Sequence, residues 1–260
     1  MTAVLRVKAR EIEIDAILFD KDGTLLQFLP LWGTWAGVMT SLMTDSIQAL
    51  GKDTEFAPES LLGVELDGQK RVVGYDLGGP LSIASIPEIE GALAWQLYNR
   101  GMPWNQAMQR VREIRSAADE ELKRERPVVP LPGLSSFLSR CSAAGLPLAV
   151  VTADQTAEAA KHLQWLGVAD CFKAIMGRDQ VVNGKPSPEI VYKACELLGV
   201  QPARTVLIGD TAGDMQTGRL ADVGLTIGIG KEVHEEADVM ICSYDELRIE
   251  RYEHSKLQDA

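Results

Sequence analysis

The fold of this chain is decided by residues 14–24, which read IDAILFDKDGT. The apolar run from Ile14 to Phe19 stops abruptly at the polar string DKDGT, as is typical of a strand buried on both faces of a parallel sheet. Similar apolar runs recur later in the chain, and we expect strands there too. They lie at 147–151, 205–208 and, interrupted by glycines, 224–228.

Helical patterns fill the gaps between these runs, at about 133–145, 155–167, 187–199 and 213–221. Strands and helices that alternate in this way predict an α/β fold with a doubly wound parallel sheet. Ligands bind to such sheets at the carboxyl ends of the strands. The polar residues that follow the runs are therefore expected to gather in the active site: Asp20, Asp22, Thr152 and Asp210, with Asp214 nearby.

The segment from about Leu29 to Pro127 breaks the alternation. It contains two helical patterns, at 33–50 and 91–124, with a loop or hairpin expected between them. Most of its tryptophans are expected in its interior. We therefore predict two domains, an α/β core of residues 1–28 and 128–260 and a mostly helical insert of residues 29–127.

Composition limits the possible partners. With 46% hydrophobic and 24% charged residues in 260, the chain can bury a substantial core. Its net charge of −11 argues against nucleic acid, whose backbone requires a cationic surface. A small phosphorylated substrate remains compatible, because one lysine and one metal ion reverse the local field. Without an apolar run of membrane-spanning length or a signal-like start, a cytoplasmic monomer or homodimer is expected.

The cysteines and histidines indicate no zinc site. The four cysteines are far apart and form no CxxC pair, and no zinc spacing arises when the three histidines are added. Reduced thiols are therefore expected. His162 and His234 are expected at the surface.

Asp20 and Asp22 pose an electrostatic problem, because two carboxylates this close do not both stay ionised cheaply without a cation. A divalent metal with oxygen ligands, such as Mg²⁺, is one solution. Division of labour is another, in which one carboxylate attacks and the other carries a proton. A third interpretation is that both residues only cap the loop after the strand.

The longer string FDKDGTL at 19–25 resembles the first motif of the haloacid dehalogenase superfamily, DxDGT preceded by hydrophobic residues. The other three motifs of that family also have counterparts here, in the same order. They are a Thr at the end of a strand (Thr152), a Lys ahead of a helix (Lys185) and GDxxxD (209–214). The insert after the first motif resembles the C1-type helical cap of phosphoglycolate phosphatase-like members.

This resemblance implies an Mg²⁺-dependent phosphatase that forms an aspartyl-phosphate. Asp20 would attack phosphorus, while Asp22 would protonate the leaving oxygen and later activate water. Thr152 and the backbone amide of Ala153 would bind the phosphoryl oxygens, and Lys185 would neutralise charge on the phosphate and on Asp20. The Mg²⁺ ligands would be Asp20, the backbone carbonyl of Asp22 and Asp210, with Asp214 as a further ligand or behind the ligands.

Two other functions remain open at this point. A phosphomutase of the β-phosphoglucomutase kind uses the same core, and a non-catalytic phosphate-binding regulatory protein would retain the fold. Dehalogenation is disfavoured, because the dehalogenases of the family lack the aspartate found here as Asp22. Ala153 stands where many relatives have Asn, and this weakens any inference about the identity of the phosphorylated substrate.

Overall fold

The computed structural model describes residues 2–51, 57–230 and 236–251. The chain divides into two compact units. We call Met1–Gln27 together with Val129–Ala260 the core unit, and Phe28–Val128 the insert unit. No helix in the described ranges combines the length and the apolarity needed to cross a membrane.

Both units contain strands. In chain order they are β1 (Ala3–Val7), β2 (Arg10–Ile14), β3 (Ala16–Phe19), β4 (Val64–Leu66), β5 (Val72–Tyr75), β6 (Leu148–Val151), β7 (Ala174–Met176), β8 (Thr205–Gly209), β9 (Leu225–Ile229), β10 (Val239–Ile241) and β11 (Leu247–Arg251).

Helices are likewise present in both units. In chain order they are α1 (Thr34–Ala49), α2 (Pro58–Leu62), α3 (Pro80–Ile83), α4 (Ile86–Asn99), α5 (Trp104–Glu125), α6 (Leu134–Ala144), α7 (Thr156–Leu166), α8 (Glu189–Leu198) and α9 (Ala212–Leu220).

A parallel sheet with the strand order β10-β9-β8-β3-β6-β7 forms the centre of the core unit. Every residue of β3 is buried: Ile17 and Phe19 belong to the apolar cluster on one face, and Leu18 belongs to the cluster on the other. Helices α6 and α7 supply the first cluster, and α8 supplies the second. The predicted doubly wound α/β sheet is confirmed, and burial on both faces explains the uninterrupted apolar runs.

A second, antiparallel sheet with the order β11-β1-β2 was not predicted. Along β1 the buried Ala3, Leu5 and Val7 alternate with more exposed residues and join the same cluster as β3. The strand expected over 14–19 is shorter, because Ile14 ends β2 and Asp15 turns the chain into β3. The C-terminal strand of this sheet, β11, extends to Arg251, where the described residues end.

The long second helix predicted for the insert unit is interrupted in the structure, and two short helices, α2 and α3, were not predicted. The single helix expected over 91–124 is two helices, α4 and α5. Gly101 lies between them with φ +97°, and Pro103 is the N-cap of α5, so a continuous helix is interrupted. The expected hairpin is present as the antiparallel pair β4 and β5.

Only part of the expected tryptophan burial in the insert unit is observed. Trp35 is buried on α1, and its indole Nε1 donates a hydrogen bond to Asp119 Oδ1 at 3.0 Å. Trp95 and Trp104 are about half exposed, so the expectation is wrong for them. Both contact the ring of Tyr98, so the three aromatic rings partly shield one another from solvent instead of packing into the core.

Tyr244 links the late part of the chain to the loop after β3. Its side chain is fully buried and stacks on Phe137 with ring centroids 5.3 Å apart. Its hydroxyl donates to the backbone carbonyl of Thr24 at 3.0 Å. Burial raises the pKa of this hydroxyl well above its ordinary value, so it remains a donor. This hydrogen bond braces the loop that contains Asp20 and Asp22 against the buried side chain of Tyr244.

We expect Tyr244→Phe to lower the free energy of unfolding by about 1 to 3 kcal/mol, because the buried carbonyl of Thr24 loses its donor. Urea unfolding measures the change. Tyr192→Phe is the matched control, since that hydroxyl also donates to a backbone carbonyl, of Leu220 at 3.1 Å, but from an exposed side chain. It should cost less than about 0.5 kcal/mol. Equal losses in the two variants would contradict the bracing role.

Candidate active site

The sheet brings the predicted polar residues to one edge. In the register of the sheet, Phe19 on β3 lies level with Ile208 on β8 and with Val150 on β6. Asp20, Asp210 and Thr152 follow these positions by one or two residues, so all three lie at the carboxyl end of adjacent parallel strands. The backbone amide of Asp20 donates to the carbonyl of Ile208 at 2.8 Å, which fixes its loop to β8.

Three of the predicted carboxylates form a cluster, which we call the acidic trio: Asp20, Asp210 and Asp214. Each contributes an oxygen, and these oxygens all lie within 4.8 Å of one another. Burial, together with repulsion from Asp214 and Asp22, raises the pKa of Asp20 to about 7 in spite of an opposing effect from Lys185. Burial and repulsion raise the pKa of Asp210 in the same way. An all-oxygen, anionic donor set of this kind fits a hard divalent cation.

Lys185 reaches the acidic trio from a distant part of the chain. Its Nζ donates to Asp20 Oδ1 at 2.7 Å and to Asp214 Oδ1 at 2.5 Å. Burial disfavours the charged ammonium, but attraction to these two carboxylates is stronger and raises the pKa of Lys185 above its ordinary value. The lysine therefore remains a cation beside Asp20 over the physiological pH range.

Glycine is required at position 23 by the approach of Asp210. The backbone of Gly23 has φ +75°, and a Cβ built there would lie 1.9 Å from Asp210 Oδ2. The neighbouring Thr24 hydroxyl donates to Asp210 Oδ1 at 3.2 Å. The DKDGT loop is thus shaped to receive the carboxylate that follows β8.

Asp214 is oriented by the first turn of α9. Its Oδ2 accepts hydrogen bonds from the hydroxyl of Thr211 at 2.6 Å and from the backbone amide of Thr211 at 3.1 Å, in a capping box. The other oxygen, Oδ1, accepts the hydrogen bond from Lys185 Nζ. Both oxygens of Asp214 therefore already have donors, whereas among the described residues the side chain of Asp210 accepts only from the Thr24 hydroxyl.

Thr152 and Ala153 follow β6 as predicted. Thr152 is buried, and its backbone amide donates to the carbonyl of Met176 at 2.9 Å. Its Oγ1 accepts from the amide of Asp154 at 3.1 Å, so its own hydroxyl proton can be donated elsewhere. Ala153 is exposed at the tip of this loop.

The side chain of Asp22 does not join the acidic trio. Its Oδ1 instead accepts a hydrogen bond from Lys21 Nζ at 2.7 Å. The predicted metal role of Asp22 concerns its backbone carbonyl, and it stays a prediction. Sequence reasoning assigned no part to Lys21, because the middle position of DxD carries no fixed chemistry.

His162 is not at the surface, contrary to expectation. Its side chain is 1% exposed, and its Nδ1 lies 3.2 Å from Lys21 Nζ. Burial lowers its pKa to about 2, so the imidazole is neutral and accepts at Nδ1. The helical periodicity predicts this burial, because His162 follows Ala159 by three residues and therefore lies on the buried face of α7. His234 lies outside the described residues.

One helix start also needs correction. The helix expected at about 187–199, just after Lys185, begins slightly later, at Glu189. A turn intervenes, in which the amide of Ser187 donates to the carbonyl of Gly184 at 2.9 Å. The helix expected from about Gln155 does begin there, with Gln155 as the N-cap of α7.

Comparison with known proteins places this site in a family. Residues 14–222 match the family model of haloacid dehalogenase-like hydrolases. The phosphoglycolate phosphatase of Salmonella typhimurium is 28% identical over 254 residues, which is 90% of this chain and 91% of that protein. That of Neisseria meningitidis is 38% identical over 104 residues, but this match spans only 39% of the chain and 44% of that protein.

Solved structures agree on the fold. A predicted phosphoglycolate phosphatase of Haemophilus somnus superposes with a TM-score of 0.66 at 17% identity, covering 90% of this chain and 96% of that one. A β-phosphoglucomutase of Clostridium difficile superposes with a TM-score of 0.59 at 21% identity, covering 90% and 92%.

The family match includes the DxDGT motif that follows β3, and also the lysine and aspartates that lie against Asp20. It confirms the predicted resemblance. The family match and the curated relatives also support the predicted class of enzyme, a phosphatase. This chain belongs to the haloacid dehalogenase-like hydrolases.

Proposed function

We propose that this hydrolase is an Mg²⁺-dependent phosphatase that transfers the phosphoryl group of a small metabolite to Asp20 and then to water. The observation that carries the proposal is the pairing of Asp20 with Lys185 inside the acidic trio. In this proposal Asp20 is the nucleophile, Lys185 is a fixed positive charge and the trio supplies oxygen ligands, all close together. Phosphoryl transfer needs little more than such positioning and charge neutralisation.

The substrate we favour is 2-phosphoglycolate, the compound in the names of relatives that align over most of this chain. The observed fold likeness to β-phosphoglucomutase does not discriminate, because one core serves both reactions. A phosphomutase would retain its phosphoryl-enzyme in water, whereas a phosphatase hydrolyses it. The lifetime of phosphorylated Asp20 therefore separates the two functions.

In the first step Asp20 attacks phosphorus. Lys185 holds Oδ1 at 2.7 Å, so we assign the attack to Oδ2. The Oδ2–P bond forms, the bond from phosphorus to the leaving oxygen breaks, and Asp22 gives its proton to that oxygen. In the second step Asp22 takes a proton from water as the water attacks phosphorus. The Oδ2–P bond then breaks and inorganic phosphate leaves.

Asp20, Asp210 and the backbone carbonyl of Asp22 would hold Mg²⁺. When bound, the ion would offset the repulsion that raises the pKa of Asp20 and would neutralise charge on the phosphoryl oxygens. Asp214 has both oxygens engaged, one by Lys185 and one by Thr211. Its main role in this proposal is to hold Lys185 in place.

Thr152 and Ala153 complete the phosphoryl site in this proposal. The hydroxyl of Thr152 is oriented by the amide of Asp154 and keeps a proton for a phosphoryl oxygen. The backbone amide of Ala153 lies at the exposed tip of the same loop and would donate to another oxygen. Together with Lys185, these donors would meet the negative charge of the transferring group.

Asp20→Asn should lower kcat for 2-phosphoglycolate by about 10³-fold or more, because the amide is not a nucleophile. Phosphate release measures the loss, and hydroxylamine trapping detects the acyl phosphate in wild type. Asp15→Asn is the matched control: the same change lies at the opposite end of β3, where Asp15 pairs with Arg204 at 3.1 Å. It should leave kcat within about 2-fold. Full activity of Asp20→Asn would refute the assignment of the nucleophile.

Removal of divalent ions with EDTA should abolish turnover, and added Mg²⁺ should restore it. Asp210→Asn should raise the Mg²⁺ concentration for half-maximal activity at least 10-fold, because a charged oxygen ligand is lost. Isothermal titration with Mg²⁺ alone gives a readout independent of activity. Asp170→Asn, at an exposed position of the core unit, is the control. Unchanged Mg²⁺ binding in Asp210→Asn would contradict the proposed ligand set.

A further inference from the structure

Lys21 is a lysine with no access to solvent. Its side chain is 0% exposed, whereas that of its neighbour Asp22 is 18% exposed. A buried ammonium costs several kcal/mol unless charged and polar partners surround it. The side chain of Lys21 is enclosed in the protein, whereas the neighbouring side chain of Asp22 remains partly exposed to solvent. Enclosure excludes direct contact between Lys21 and a substrate.

Within the described part of the chain, polar groups of Asp22, Asp154 and His162 lie close to the ammonium of Lys21. Nζ lies 2.7 Å from Asp22 Oδ1, 3.3 Å from Asp154 Oδ2 and 3.2 Å from His162 Nδ1. These groups come from different segments: the loop after β3, the loop after β6, and α7.

The charge states fit this arrangement. Burial disfavours the cation, but attraction to Asp22 and Asp154 is stronger and raises the pKa of Lys21. The lowered pKa of His162 keeps its ring neutral, so Nδ1 accepts instead of repelling the ammonium. Asp154 in turn donates its backbone amide to Thr152 Oγ1 at 3.1 Å. Lys21 thus connects Asp22 with the loop assigned to phosphoryl binding.

We propose that Lys21 is a positioning residue, which fixes the carboxylate of Asp22 for proton transfer to the leaving oxygen and ties it to the Thr152 loop. This inference rests on the proposed phosphatase function. Nothing in the DxDGT pattern calls for lysine between the two aspartates, so the role belongs to this chain's own contacts. Without the ammonium, Asp22 would lose a fixed partner and sample orientations that miss the leaving group.

The leaving group provides a test that a purely structural role would not pass. An alkyl phosphate expels a strongly basic alkoxide, which needs the proton from Asp22. The weakly basic p-nitrophenolate leaves without it. Because kcat/KM reports on steps up to the first irreversible one, it isolates transfer to Asp20 from the later hydrolysis that both substrates share.

We would measure kcat/KM of Lys21→Met for 2-phosphoglycolate and for p-nitrophenyl phosphate. The ratio of the two values should fall by about 10²-fold, the lower range of what a positioned general acid contributes. Both values come from one sample, so any loss of folded protein cancels from the ratio. Asp22→Asn should show a similar fall, and the double variant Lys21→Met/Asp22→Asn should fall no further, since the two residues act as a unit.

Lys161→Met is the matched control, because this lysine is next to His162 on α7 but pairs with Glu158 instead of Asp22. Its ratio should equal that of wild type. An unchanged ratio in Lys21→Met, or additive effects in the double variant, would overturn the positioning role while leaving the phosphatase intact. Failure of the wild-type enzyme to hydrolyse either substrate would overturn the proposed function, and the role of Lys21 with it.

Discussion

The confinement of like charges at one edge of the parallel sheet is the constraint on which the other features depend. Three carboxylates approach within 4.8 Å, and the buried ammonium of Lys185 contacts two of them. Such a cluster is stable only if the backbone holds it rigidly and opposite charge is supplied. The capping box of Thr211, the sharp turn at Gly23 and the brace from Tyr244 all provide that rigidity.

A second buried cluster, around Lys21, likewise combines carboxylates with an ammonium. The ammonium of Lys21 lies close to the carboxylates of Asp22 and Asp154 and to a neutral imidazole, that of His162. The two lysines contact different aspartates of the DxD pair: Lys185 contacts Asp20, the proposed nucleophile, and Lys21 contacts Asp22, the proposed proton carrier. The two aspartates of this loop thereby obtain distinct environments, as the different roles proposed for them require.

Sequence reasoning succeeded where local pattern decides the structure. Apolar runs buried on both faces revealed β3, β6, β8 and β9, and the polar residues after them located the site edge. It failed where partners are distant or elements are short. The pairing of Ala3 with Arg251 leaves no local trace, and three residues, as in β7, are too few for a period to emerge. His162 was misjudged because residue type was weighed above its place on the helix.

The discontinuity of the core unit has a consequence for synthesis. Strand β3 leaves the ribosome early, but its sheet partners β6 and β8 follow only after the insert unit has been made. The insert unit is continuous in sequence, so all its internal contacts are available first. More than a hundred residues are therefore synthesised after β3 before its first sheet partner, β6, and the strand stays unpaired until then. Nascent molecules of this protein thus pass through a stage at which chaperones have a defined strand to protect.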